Sequence, residues 1–468
     1  MKRLFTLAVL LIISHKLLAQ HESTAFTVTG SGLASTLSND YQCIGINPAN
    51  LGVKSGKRLN LGFAETSVGI FSNALNKEDL RDIFNTYTSN NSTANNFSSE
   101  DKKRLAKSFA DKGISANIDF TWIGVSLKIP KVGGFAFSVR EHITSKMVLN
   151  ANFSDIIFNG YKATYFDTTF VINGDTTGFS NNPELISKIT EGSKVQLSWV
   201  REYNLGFGRT FINNDNFKLS LGTSVKYLNG VAVVDVSSKD GELNAYSGIS
   251  NSFLPGLSQI QGKFTNSTSI SNAVGQGFGL DLGANIKMKN LTFAASINNV
   301  GYITYIGELF KLNDAKLDSI KNNGINNYLA ESNSEFGTGE DFFDKTLVSK
   351  QSFTLPVNFR GGVLVEITKR LHVGADVYVP LNQAPGKYAN TYASVGVQGR
   401  VSAVKLSTGL GIGTGLKLVV PLGIVFAPSK GVYEIGFASR DLFTFFTDKN
   451  PNLSGSFGFL RFGLFNLD

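Results

Sequence analysis

Phe278-Gly-Leu-Asp-Leu-Gly-Ala-Asn-Ile-Lys-Met288 alternates without a break. Phe278, Leu280, Leu282, Ala284, Ile286 and Met288 fall on one face; Gly279, Asp281, Gly283, Asn285 and Lys287 fall on the other. Successive side chains of a strand point to opposite sides. The stretch therefore predicts a strand with one apolar face and one small or polar face. The pair Lys289-Asn290 follows, and a second run of the same kind occupies 291–306. The pattern recurs along the chain. At 195–207, Val195, Leu197, Trp199, Tyr203, Leu205 and Phe207 oppose Gln196, Ser198, Glu202, Asn204 and Gly206, with Val200 and Arg201 out of phase. At 371–379, Leu371, Val373, Ala375, Val377 and Val379 oppose His372, Gly374, Asp376 and Tyr378.

Working outward, fourteen such runs are predicted: 58–71, 115–129, 134–150, 195–211, 217–236, 277–289, 291–306, 353–368, 371–380, 391–401, 404–412, 416–427, 431–439 and 455–465. Asn229-Gly230, a hairpin dipeptide, is able to split the fifth. Tight joints (Pro130-Lys131-Val132-Gly133, Asn213-Asn214-Asp215-Asn216, Lys289-Asn290, Thr368-Lys369-Arg370) alternate with long polar connections at 72–114, 151–194, 237–276 and 307–352. A soluble β-sandwich also alternates, but it rarely carries structureless connections of that length. Short turns on one side, long loops on the other and an even strand count describe an all-β fold, a transmembrane outer-membrane β-barrel of about 14 antiparallel strands. Within the first long loop, 76–84 and 99–109 read as helices, each opening on a capping residue and early acids.

Composition agrees. Of 468 residues 42% are hydrophobic and 17% charged, with 48 Gly and 37 Phe, as a barrel with small lumen-facing and aromatic lipid-facing side chains requires. Residues 1–19 read as a signal peptide: Lys2 and Arg3, an apolar run from Leu4 to Ser14, and cleavage near Ala19/Gln20. The run is too short to span as a helix. The expected location is the outer membrane of a Gram-negative bacterium. Net charge is +8 without a dense basic run, which leaves no basis for nucleic-acid binding. Cys43 is the only cysteine, so no disulfide forms within the chain, and the residue reads as a buried small side chain or a reactive thiol.

Around Trp122 the alternation slips: Ile118, Phe120 and Trp122 share a face that Ile123, Val125, Leu127 and Ile129 then take over. One extra residue there is a β-bulge, either a register correction or a kink at Trp122-Ile123 that opens the wall. The same phasing turns Asp119, Arg140, His142, Glu202, Asp281, His372 and Asp376 into the lumen, as a charge network or an ion path. His372 and Asp376 share a face but lie about 13 Å apart, too far for a direct pair. No His-Glu-x-x-His or Gly-x-Ser-x-Gly occurs, and Gly409-Leu-Gly-Ile-Gly-Thr-Gly415 lacks the strand-to-helix setting of a phosphate loop. No catalytic set, metal site or cofactor is expected.

Between the leader and the first strand, residues 20–57 are Gly- and Ser-rich and contain Ser31-Gly32-Leu33-Ala34 and Gly45-Ile46-Asn47-Pro48-Ala49-Asn50-Leu51-Gly52. Here the chain resembles the FadL-type outer-membrane proteins and their PorV-like, secretion-associated relatives. In that superfamily an Asn-Pro-Ala motif lies in an N-terminal hatch that plugs a fourteen-stranded barrel. Ser296-Ile297-Asn298-Asn299-Val300-Gly301 is similar to a strand-end pattern of the same barrels. The resemblance implies a hatch over 20–57, with Asn47, Pro48 and Ala49 as its motif, inside a barrel over 58–468. Two functions follow. One is a non-enzymatic accessory barrel that docks another outer-membrane or secreted protein, which the Asn- and Ser-rich loops favour. The other is a FadL-like conduit that takes up hydrophobic ligands and releases them sideways. Outer-membrane lipid is a partner in both.

Overall fold

The computed structural model describes residues 25–53, 56–72, 97–110, 113–172, 174–249, 273–312, 314–325, 343–384, 391–413, 416–428, 432–441 and 452–466. The expected signal peptide and the helix expected at 76–84 lie outside them. In chain order the strands are β1 (Lys57–Ser72), β2 (Ile114–Ile129), β3 (Gly133–Val148), β4 (Thr168–Ile172), β5 (Asp175–Phe179), β6 (Lys194–Asn213), β7 (Lys218–Lys239), β8 (Glu242–Ile249), β9 (Gly275–Met288) and β10 (Leu291–Leu312). They continue as β11 (Ser319–Ile320), β12 (Phe343–Thr354), β13 (Asn358–Thr368), β14 (Leu371–Pro380), β15 (Tyr392–Val401), β16 (Val404–Gly413), β17 (Leu416–Val419), β18 (Leu422–Phe426), β19 (Tyr433–Ser439) and β20 (Asn452–Asn466).

All wall pairings are antiparallel, and β1 pairs with both β2 and β20, which closes the sheet on itself. β12 with β13, and β17 with β18, are single wall strands interrupted at Leu355-Pro356-Val357 and Val420-Pro421. Among the described residues the wall thus has fourteen strands. Proline has no N–H to give a ladder, which accounts for both interruptions inside runs the alternation reads as continuous.

The facing of side chains is that of a membrane barrel. On β3, Phe135 and Phe137 are each 39% exposed while Gly134, Ala136 and Ser138 are buried; on β9, Phe278 is 61% exposed and Asp281 is 0% exposed. Large apolar groups outside and polar groups inside invert the arrangement of a soluble domain. No helix among the described residues is long and apolar enough to span a membrane.

Four departures from regular strands place the site. Trp122 is an extra residue in β2: Thr121 faces Arg140 and Ile123 faces Val139. The ladder resumes at once, with Ile123 opposite Phe63, and Trp122 stands outside, 53% exposed. Asn229-Gly230 does not turn the chain; β7 runs through it, and Val231 is the extra residue between pairs Val200–Gly230 and Trp199–Ala232. Asn298-Asn299 bulges from the middle of β10, between Ile297 and Val300, so the run 296–301 is not a strand end. The fourth is the break at Leu355–Val357, beside this bulge: the Leu355 N–H donates to Gly301 O at 3.0 Å and Asn299 Nδ2 to Pro356 O at 3.3 Å.

The long connections carry structure of their own. Ser99–Phe109 is a helix capped by Ser98, whose Oγ accepts from the Asp101 N–H at 3.1 Å. It packs on a helix at Ala151–Asn159 through Phe109 and Phe158, whose ring centroids are 5.6 Å apart. Within the connections expected as loops, β4 and β5 form a hairpin that pairs with β11, and β8 folds back on β7 and bridges to β10 above the end of β9.

Candidate functional site

Residues Ala25–Val53 lie inside the barrel as short helical turns at Phe26–Thr29, Ala34–Leu37, Tyr41–Cys43 and Pro48–Gly52. Side chains of the wall tie them down along their length. Asn47 caps the last turn: its Oδ1 accepts from the Ala49 N–H at 3.1 Å, and its Nδ2 donates to Ala284 O of β9 at 3.1 Å. Pro48 occupies the first position of that turn, where a missing N–H costs nothing. Asn50 donates to the carbonyls of Ser35 (2.9 Å) and Ser38 (2.7 Å) and accepts from Asn285 of the wall at 2.9 Å. The Asn-Pro-Ala-Asn run thus joins one segment of the plug to another and both to β9.

The wall makes room with glycine. A Cβ on Gly124 would lie 2.1 Å from Tyr41 Cδ2, and one on Gly222 would lie 2.4 Å from Pro48. Plug and lumen fit because several inward positions carry no side chain at all.

The sequence-predicted charges divide into three groups. Arg140, Asp281 and Asp376 hold the plug: Arg140 donates to Ile44 O (2.8 Å) and Tyr41 O (2.7 Å), Asp281 accepts from the Gly45 N–H (3.2 Å), and Asp376 from the Ser35 N–H (2.7 Å). Asp119 and Glu202 flank His142, with Asp119 hydrogen-bonded to its Nδ1 and Glu202 Oε2 3.4 Å from its Nε2. His372 stays apart from both, next to Glu366 and Lys287, and it makes no pair with Asp376.

Sequence reasoning missed two partners that the fold supplies. Lys226 of β7 ion-pairs with Asp281 at 3.2 Å and bonds to Asn299 Oδ1, so the bulge in β10 is fastened from two strands. Arg461 of β20 ion-pairs with Asp40 of the plug and lies 3.3 Å from Glu434, while Glu65 accepts from Tyr41 and from Gln42 Nε2. The alternation of β20 places Arg461 inside, but nothing in the sequence joins it to Asp40. Cys43, 0% exposed, sits against Tyr41, Ile44 and Leu51, and burial raises its thiol pKa well above the usual range.

Above the plug the lumen changes character. Leu228, Val233, Tyr246, Ile303, Tyr305 and Leu355 form a buried apolar cluster, with Val200 and Phe353 against it. A cavity opens there between β6, β10 and the break at Leu355–Val357; apolar residues Val200, Val233, Ile303, Phe353, Leu355 and Ala384 line it together with Tyr305, His142, Thr144, Ser198, Glu202 and Asn299. A second, polar cavity lies against the plug and shares His142 and Glu202 with the first. No cluster suited to a metal ion occurs among the described residues.

A closed barrel with an apolar outer belt and a lumen filled by its own N-terminal segment is a plugged outer-membrane barrel. The chain belongs to the family of unknown function DUF5723, whose sequence profile matches residues 57–384. No curated protein is significantly similar in sequence. Solved structures to which the chain is similar include the Pseudomonas putida toluene transporter TodX, at 14% identity and a TM-score of 0.43, covering 96% of this chain and 99% of that one. The Ralstonia pickettii toluene transporter TbuX is 12% identical with a TM-score of 0.42, over 95% and 99% of the two chains. A Pseudomonas aeruginosa FadL homologue is 12% identical with a TM-score of 0.42, over 96% and 100%. The barrel reading stands on the strand ladders and the outer belt; these likenesses add no detail of ligand or residue.

Proposed function

We propose that the protein is a conduit for small apolar molecules, which settle in the cavity above the plug before passing on. The observation that carries this reading is the composition of that cavity: Val200, Val233, Ile303, Phe353 and Leu355 line it, whereas the cavity against the plug is lined mainly by polar side chains. At about 60 Å³ the cavity is smaller than the ~150 Å³ that takes benzene in an engineered protein. A ring-sized guest therefore requires Phe353 or Ala384 to yield, which suits a small guest better than a long chain. Such a guest also has a sideways route where the wall is broken, since Leu355-Pro356-Val357 gives β10 only part of a ladder.

The test is uptake of radiolabelled ethylbenzene by cells with an intact outer membrane, expressing the native chain or A384W. The proposal predicts faster uptake with the native chain and little gain with A384W. Equal uptake by both refutes it.

The docking reading draws on a different observation. Among the described residues β4 is the edge of the three-stranded sheet β11-β5-β4, and Phe170, Val171 and Ile172 on it are 57%, 72% and 41% exposed. An apolar free edge suits strand addition by a protein partner. Nothing ties that edge to the lumen cavity, and the conduit is the reading the cavity favours.

A further inference from the structure

The cavity above the plug is not uniformly apolar, and its polar wall is specific. Tyr305 is 1% exposed and its ring is fixed, lying 5.9 Å from Phe353 in a T-shaped contact and pressed against Gly230 and Gly275, where added Cβ atoms would come within 2.2 and 2.5 Å of it. Its hydroxyl, beside Ser198, meets no partner in hydrogen-bonding geometry among the described residues. A buried hydroxyl left in that state is costly, and such groups in native proteins ordinarily have a partner. Glu202 also lines the cavity and offers a carboxylate. His142 has no donor to spare, since both ring nitrogens are engaged by Asp119 and Glu202. Among the described lining residues His142 is the only one able to carry positive charge, and two carboxylates already face it.

We infer that the cavity selects small apolar molecules bearing one neutral hydroxyl, phenols or alcohols, over carboxylates. The inference rests on the conduit reading and narrows its substrate class. A hydroxyl both donates and accepts, so it matches a lining that offers both the Glu202 carboxylate and the Tyr305 hydroxyl. A carboxylate only accepts; it would be desolvated beside Glu202 with no free cation among the described lining residues to offset it. An unsubstituted hydrocarbon fits the apolar side and leaves the Tyr305 hydroxyl as it is.

The experiment is equilibrium dialysis of the detergent-solubilised full chain against 4-ethylphenol, ethylbenzene and 4-ethylbenzoate, corrected for partition into empty micelles. The expected order is phenol, then hydrocarbon, then benzoate, with about tenfold for one well-made hydrogen bond to a fixed site. Y305F should remove most of the phenol's advantage and leave ethylbenzene unchanged. E202Q should raise benzoate binding about tenfold by removing the repelling charge. Both variants must retain heat-modifiable gel migration. If ethylbenzene binds and A384W abolishes that binding, yet 4-ethylphenol binds no tighter, the hydroxyl preference is wrong and the conduit stands. If none of the three probes binds the native chain above micelle background, the conduit reading falls and this one falls with it.

Discussion

Replacing Arg461 with methionine should release the plug around Tyr41 without opening the wall. The guanidinium ion-pairs with Asp40, donates to Gln42 Oε1 at 3.1 Å, lies 3.3 Å from Glu434 and sits 5.7 Å from the centroid of the Tyr41 ring. The side chains of Arg461, Asp40 and Glu434 are 10%, 2% and 10% exposed, so solvent screens them little. Removing one member of a buried ion pair strands the other charge, at a cost of about 3–5 kcal/mol. At 1.4 kcal/mol per tenfold, the local opening equilibrium shifts by about 10² to several times 10³. The chain carries its own reporter, because its single cysteine, Cys43, is 0% exposed beside Tyr41. Its rate of maleimide labelling in the folded barrel follows the population of the opened plug. R461M should label about 10²-fold faster than the native chain or more, and R461K, which keeps the charge but not the planar fork, should fall between them. Heat-modifiable migration should persist in all three. Equal labelling rates for R461M and the native chain, with the barrel intact, would refute the claim that this network holds the plug.

Three further perturbations probe other parts of the account. Gly124→Leu places a side chain where Tyr41 now lies, its Cβ within 2.1 Å of the ring, so it should destabilise the plug by about 1–3 kcal/mol and expose Cys43 to maleimide. The chain's two tryptophans, Trp122 and Trp199, both donate to Glu141 on the outer face, at 3.2 and 2.7 Å, beside Arg201 Nε at 2.5 Å. Their emission should be quenched by lipids brominated on the acyl chain, and quenching by aqueous iodide alone would mean the facing of β2 and β6 is reversed. In the loop module, burial and the neighbouring Lys162 pull Lys102 from 10.5 down to about 8. The unfolded module therefore binds more protons between those values, and its resistance to proteolysis should rise as pH climbs from about 8 towards 10.5. K102M should remove that rise, and a fall with pH in the native chain would contradict the burial of this ammonium.

Strand boundaries were the most legible property because alternation is a local signal. The strand expected at 371–380 is found at Leu371–Pro380; the turn at Lys289-Asn290 falls between paired strands, and of the joint expected at Thr368-Lys369-Arg370 only Lys369-Arg370 does, Thr368 ending β13. The breaks were less visible because an apolar run through Pro356 reads as continuous until the missing N–H is counted against the ladder. β8 could have been found: Asp240 and Gly241 have φ of 56° and 77°, the left-handed pair of a tight hairpin turn, and Asp-Gly announces it. The site was legible only in part. Alternation turned Asp119, Arg140, Glu202, Asp281 and Asp376 towards one side, but which of them grips the plug and which grips His142 depends on pairing across strands remote in sequence. Arg461 with Asp40, separated by 421 positions, is the extreme case.

The most direct test of the account is native mass spectrometry of the barrel gently extracted from its own outer membrane, compared with A384W. The account predicts a lone barrel that carries a small apolar adduct, reduced or lost in A384W. A stoichiometric protein partner with no small adduct in either form would contradict it and make the exposed edge of β4 the functional surface.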